Sequence, residues 1–132
     1  MLPREYRLKH MKDWDLLFKE GRFVGGVYVT VNVWKIDEMK CIRRGYTDTD
    51  LKIGFALGKK VHKHAVQRNR VKRQMREVVR LYLKDSRIKS GYLVGIIAKP
   101  TIIGKDYALI EKDVHYVLLK AGLLTPNKRT LA

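Results

Sequence analysis

The side chains most suited to chemistry lie between Lys59 and Arg80, where nine Lys or Arg (59, 60, 63, 68, 70, 72, 73, 76 and 80) stand against one acid, Glu77. The stretch carries a net +8 within a chain of 132 residues and formal net charge +16. Like charges at helical spacing repel, so a segment of this kind needs a polyanion to neutralise it. Nucleic acid is the first candidate, although a membrane surface or an acidic partner would also be attracted.

Other groupings fall short of a reaction centre. Gly54-Phe55-Ala56-Leu57-Gly58-Lys59-Lys60 has three residues between its glycines where a phosphate loop has four, and Lys60 stands where that loop needs a hydroxyl. His62 and His64 flank Lys63, but zinc needs three or four ligands, and His10, His115 and Cys41 lie at no matching spacing. They read as two solvated imidazoles beside an anion. Asp48 and Asp50 could face the same way in an extended segment, yet a lone acidic loop is ordinarily solvated. The expectation is therefore no catalytic residue and no metal ligand in the chain.

The single cysteine, Cys41, excludes an intrachain disulfide. No apolar run approaches the roughly 18 residues that span a bilayer, and Met1 to Lys12 lacks an apolar core of the signal-peptide kind. A cytoplasmic protein with no membrane association is expected.

Periodicity supplies the elements that must position the basic residues. Met11, Trp14, Leu17 and Phe18 predict a helix over Met11–Glu20, stopped by Gly21. Strict alternation predicts a strand over Val27–Trp34, with Val27, Val29, Val31 and Val33 on the core face and Tyr28, Thr30, Asn32 and Trp34 on a polar, aromatic face. Asp37–Asp50 reads as a long surface connection. In a strand over Leu51–Leu57, Gly54 and Ala56 leave one side nearly free of bulk, open to a packed helix or a ligand.

Val71, Met75, Val78 and Tyr82 form one stripe of a helix over Ala65–Asp85, and Arg68, Asn69, Lys72, Arg73, Arg76 and Arg80 sweep across its other side. Tyr92–Ala98 is a nearly continuous apolar run, which suits a strand buried on both faces, and Lys99-Pro100 ends it. Ile110, Val114, Val117, Leu118 and Ala121 line a last helix over Asp106–Ala121, stopped by Gly122. These elements predict one domain over residues 1–124, an α+β two-layer sandwich with helices on one face of the sheet and a split βαβ unit, then a frayed tail over 125–132.

Lys59-Lys60, Ala65, Arg68-Asn69-Arg70, Lys72-Arg73 and Arg76-Glu77 together resemble the signature of the bacterial ribonuclease P protein family. Asp13-Trp14, Phe18 and Gly21, then Lys52-Ile53-Gly54, then Ala98-Lys99-Pro100 are similar to further family landmarks in family order. The resemblance implies a small subunit of a ribonucleoprotein endoribonuclease whose RNA, with Mg²⁺ that it mainly binds itself, removes the 5′ leader from precursor tRNA. The protein alone would be inactive, its partners would be ribonuclease P RNA and the leader-bearing precursor, and no obligate protein partner is implied. The family fold places the basic helix in a left-handed crossover, against the usual right-handed rule.

By position, Lys59, Lys60, Lys63, Arg68, Asn69, Arg70, Lys72, Arg73 and Arg76 would meet the catalytic RNA, because guanidinium forks and ammonium charges suit phosphate. On the residues alone, Arg70 could instead make an internal salt bridge or cap, and Asn69 could hold a backbone turn. The 5′ leader would lie in a cleft lined by Trp14, Phe18, Tyr28, Asn32 and Trp34, where bases can stack without regard to sequence. Trp14 and Phe18, at i and i+4 of a helix, would otherwise be ordinary core.

Two departures stand out: His62-Lys63-His64 replaces a common Gly-Asn turn, and Asn32 stands where an aromatic often faces the cleft, so stacking could pass to Tyr28 or Trp34. A general RNA-binding protein, ribosomal or chaperone-like, is the competing reading. A protein-only nuclease would need clustered carboxylates for metal ions, which the chain lacks.

Overall fold

Four strands and three helices are built from these patterns in a computed structural model, which describes residues 4–37, 39–40, 45–57, 64–84 and 87–124. In chain order they are α1 (Met11–Glu20), β1 (Arg22–Gly25), β2 (Val29–Lys35), β3 (Leu51–Ala56), α2 (Ala65–Lys84), β4 (Tyr92–Ala98) and α3 (Tyr107–Lys120). Short 3₁₀ turns occupy Arg4–Tyr6 and Pro100–Ile102. The α1 and β4 bounds coincide with the periodicity, and α2 and α3 agree to within a residue at each end. Cys41 and the tail over 125–132 lie outside the described residues.

The sheet runs β1-β2-β4-β3. β2 pairs antiparallel with β1 and with β4, whereas β3 and β4 are parallel neighbours. Parallel neighbours need a crossover, and α2 supplies it, so a βαβ unit is present, but it is not split, because β3 and β4 pair directly with no strand between them.

The α+β class holds, but the helices do not share one face. Val31, Val33, Val94, Ile96 and Ile53 bury against Val71, Met75 and Val78 of α2 and Ile110, Val114 and Val117 of α3. On the other face, Trp34 and Leu93 bury with Leu17 of α1, together with Leu8, Ile36 and Tyr46. The reason lies in β4: a nearly continuous apolar strand presents two hydrophobic faces, and each must be covered.

A second correction concerns Val27, which the alternation placed in the core and which is 64% exposed. Residues 26–28 form the turn between β1 and β2. Buried Asp113 of α3 accepts hydrogen bonds there from the N–H groups of Val27 (2.9 Å), Tyr28 (2.8 Å) and Val29 (2.9 Å). A carboxylate on three amides satisfies the turn from a distant part of the chain.

Candidate nucleic-acid interface

α2 is a helix because its apolar residues recur at helical spacing: Val71, Met75, Val78 and Val79 are all buried. Burying each contributes about 1.5–3 kcal/mol, against about 0.2–0.5 kcal/mol for each like-charge pair on the outer side, so packing wins over repulsion. Asn69, Arg70, Lys72 and Arg73 are exposed, and Arg68 and Arg76 are half-buried. Among the described residues, no hydrogen bond or ion pair engages the side chains of Arg68, Asn69, Arg70, Lys72 or Arg73. Neither the internal salt bridge considered for Arg70 nor the turn considered for Asn69 is formed there.

Farther along the helix, Arg80 makes a two-pronged pair with Glu77 at 2.6 and 3.0 Å. That contact holds the Glu77 carboxyl below its ordinary range and raises the Arg80 guanidinium. The uncompensated charge therefore sits on the N-terminal half of α2. Lys59, Lys60 and Lys63, just ahead of it in sequence, lie outside the described residues.

That half faces a groove of about 670 Å³ lined by Trp14, Phe55, Ala56, Leu57, Arg68, Asn69 and Lys72. A second groove of about 360 Å³ shares Trp14, Phe55 and Lys72 and adds Arg7, Lys9 and Arg76 to its wall. The Nε of Arg76 is buried with no hydrogen-bond partner among the described residues. Trp14, Phe55 and Lys72 thus form the wall common to both grooves, and Trp14 is the α1 residue in it.

Its position depends on the bulk-free side of β3. Gly54 pairs with Gly95 of β4, and a Cβ on Gly54 would stand 2.5 Å from Trp14 Cζ2, one on Gly95 2.7 Å from Cζ3. The indole rests on the paired glycines, so a packed helix answers the close approach that Gly54 and Ala56 invited. Asp13 beside it is buried and accepts a hydrogen bond from the Tyr46 hydroxyl at 2.9 Å, which ties the first turn of α1 down.

From Trp14 the aromatic surface runs outward. Trp14 and Phe18 stack at 5.9 Å between ring centroids, and Phe18 and Phe23 at 6.4 Å, with interplanar angles of 23° and 30°. Phe18 and Phe23 are 52% and 51% exposed, so Phe18 is no core residue.

Three of the residues expected in this cleft are elsewhere. Asn32 is fully buried, and its Nδ2 donates to the Leu17 carbonyl at 2.7 Å. Trp34 is 7% exposed and packs in the core under α1. Both lie on the sheet face expected, but α1 covers it. Tyr28 packs against the core on the opposite face, with the Lys105 ammonium 5.9 Å from its ring centre. The positions that sequence reasoning missed are Phe23, Phe55, Arg7 and Lys9. A four-residue strand such as β1 offers too little alternation to announce Phe23.

Cationic grooves continuous with half-exposed aromatic rings suit a single strand of nucleic acid, phosphates on the helix and bases on the aromatics. Among the described residues there is no group of three or more His, Cys, Asp or Glu placed to hold a metal ion, and no helix is long and apolar enough to cross a membrane.

Known proteins resemble the chain in sequence and in fold. The ribonuclease P protein component of Synechococcus sp. (strain JA-2-3B'a(2-13)) is 30% identical over 124 residues, covering 94% of this chain and 87% of the relative. That of Symbiobacterium thermophilum is 32% identical over 123 residues, covering 93% and 96%. In fold, the chain is similar to the Staphylococcus aureus RNase P protein (TM-score 0.74, 24% identity, covering 91% of this chain and 98% of that one). It is likewise similar to the Thermotoga maritima RNase P protein (TM-score 0.69, 23% identity, covering 86% and 96%). The sequence profile of the Ribonuclease P family matches residues 2–122, nearly the whole of the described structure, and the chain belongs to that family.

Proposed function

We propose that the chain is the protein subunit of a ribonuclease P that removes the 5′ leader from precursor tRNA, with the catalytic RNA performing the cleavage. The observation that carries this reading is the continuity of the cationic N-terminal half of α2 with the exposed aromatic row through Trp14. Arg68, Asn69, Arg70, Lys72, Arg73 and Arg76 would contact the ribonuclease P RNA, with Lys59, Lys60 and Lys63 preceding them in sequence. Trp14 and Phe18 would take leader bases, and the complex would act in the cytoplasm.

The reaction's Mg²⁺ belongs with the RNA. Groove walls bearing Arg7, Lys9, Arg68, Lys72 and Arg76 repel a divalent cation rather than ligate it. The same charges can take over part of the phosphate screening that Mg²⁺ otherwise supplies. Family membership favours this reading over a general RNA-binding protein.

Reconstitution tests it. The purified protein should cleave nothing alone, but should let a bacterial ribonuclease P RNA process precursor tRNA at lower Mg²⁺ than the RNA needs by itself. Cleavage by the protein without RNA would sink the reading. Arg68→Ala should weaken assembly or activity for every substrate, whereas Phe18→Ala should weaken only leader-bearing ones.

A further inference from the structure

Phe23 stands at the far end of the aromatic row, and its placement is specific. It lies directly across from Asn32 in the β1–β2 register, and cross-strand partners project to the same face of a sheet. Its neighbour Val24 lies across from Val31 and is buried in the opposite core, which fixes Phe23 on the α1 side. There the sheet's own residue, Asn32, is sealed under α1 by its bond to the Leu17 carbonyl. The ring that continues the row therefore comes from edge strand β1, stacked on Phe18 at 6.4 Å with half its surface in water.

We infer that Phe23 is a third stacking platform, which holds the leader nucleotide farthest from the basic grooves. This rests on the reading that Trp14 and Phe18 receive the leader. Centroid spacings of 5.9 and 6.4 Å exceed the roughly 3.4 Å rise per nucleotide of a helical strand, so the row suits a strand drawn out of its stack, one base to a ring. Trp14 adjoins the Arg68 and Lys72 groove, and Phe23 is separated from it by Phe18. If the scissile end lies at the basic grooves, each ring outward meets a nucleotide one step closer to the leader's 5′ end. An apolar side chain needed only for packing against Phe18 could equally be Leu; a base platform requires a ring face.

The test uses the holoenzyme and precursor tRNAs whose leaders lengthen one nucleotide at a time. With the wild-type protein, affinity should rise stepwise and then level off. Phe23→Ala and Phe23→Leu should both lose the last step, about fivefold or more, with the shortest leaders unaffected, while Phe23→Tyr keeps it. Retention of the last step by Phe23→Leu, or equal weakening of every leader by Phe23→Ala, would overturn the inference. If Phe18→Ala alters the series and Phe23→Ala does not, only the role of Phe23 falls. If neither alters it, leader binding by the row falls as well.

Discussion

Trp14 meets two demands with one ring: its Cζ2 and Cζ3 atoms fill the gap over Gly54 and Gly95, and the same side chain lines both grooves. Gly54→Ala would place a Cβ 2.5 Å from Cζ2, closer than real carbon contacts allow, and the indole would have to lift. Overpacking of this kind costs about 1–3 kcal/mol, which urea unfolding would register. Leader affinity should fall with it, because the displaced ring is also the groove wall. Adding Trp14→Phe should recover part of the stability loss, since the smaller ring clears the methyl; a Gly54→Ala protein as stable as the wild type would contradict the packing described. At this scale the sequence was half legible. Gly54 and Ala56 announced a close approach, and Trp14 and Phe18 announced an aromatic pair. Asn32 and Trp34 were misplaced because alternation gives the parity of a strand and not which layer will cover each face.

The N-terminal half of the basic helix keeps its charges unpaired among the described residues, at a cost to the helix. Lys72 has Arg68 four residues before it and Arg76 four residues after it, both like charges. Lys72→Gln should therefore stabilise the free protein by a few tenths of a kcal/mol at low salt, while weakening RNA binding and reducing the salt slope by about one. Stability and affinity changing in the same direction would contradict this. On the inner side, α2 meets α3 through Tyr82, whose hydroxyl is 2.7 Å from His115 Nδ1, and Tyr107, whose buried hydroxyl has no partner among the described residues. Burial pushes both phenols above their ordinary value of about 10. A raised folded-state pKa stabilises the protonated form, so this contribution is complete below pH about 10 and is lost as pH rises through the folded values. The urea midpoint should fall above about pH 10, and less steeply in Tyr82→Phe and Tyr107→Phe proteins. Helices and β4 were legible because apolar spacing over ten or more helical residues, or seven continuous strand residues, is a strong signal. β1 and the turn at Val27 were not, because four residues carry little pattern and the turn's acceptor, Asp113, lies 84 to 86 residues away.

Across the whole molecule, the division between faces separates two kinds of binding. The α2 side of the groove contributes charge, and the α1 side with β1 contributes ring surface. These respond differently to salt, because neutralising phosphates releases counterions whereas stacking a base does not. A formal net charge of +16, with Arg68, Arg70, Lys72 and Arg73 uncompensated among the described residues, makes six or more phosphate contacts feasible once Lys59, Lys60 and Lys63 join them. At that number, affinity for ribonuclease P RNA should drop roughly 10³-fold or more between about 50 and 200 mM salt. Arg68→Ala, Lys72→Gln and Arg73→Ala should each make the logarithmic slope shallower by about one, uniformly across substrates. Phe18→Ala should leave the slope for leader-bearing precursor unchanged and lower only the intercept. A flat salt response would contradict the phosphate contacts assigned to α2, and an altered slope in Phe18→Ala would show that the aromatic row and the basic helix do not act as separate surfaces.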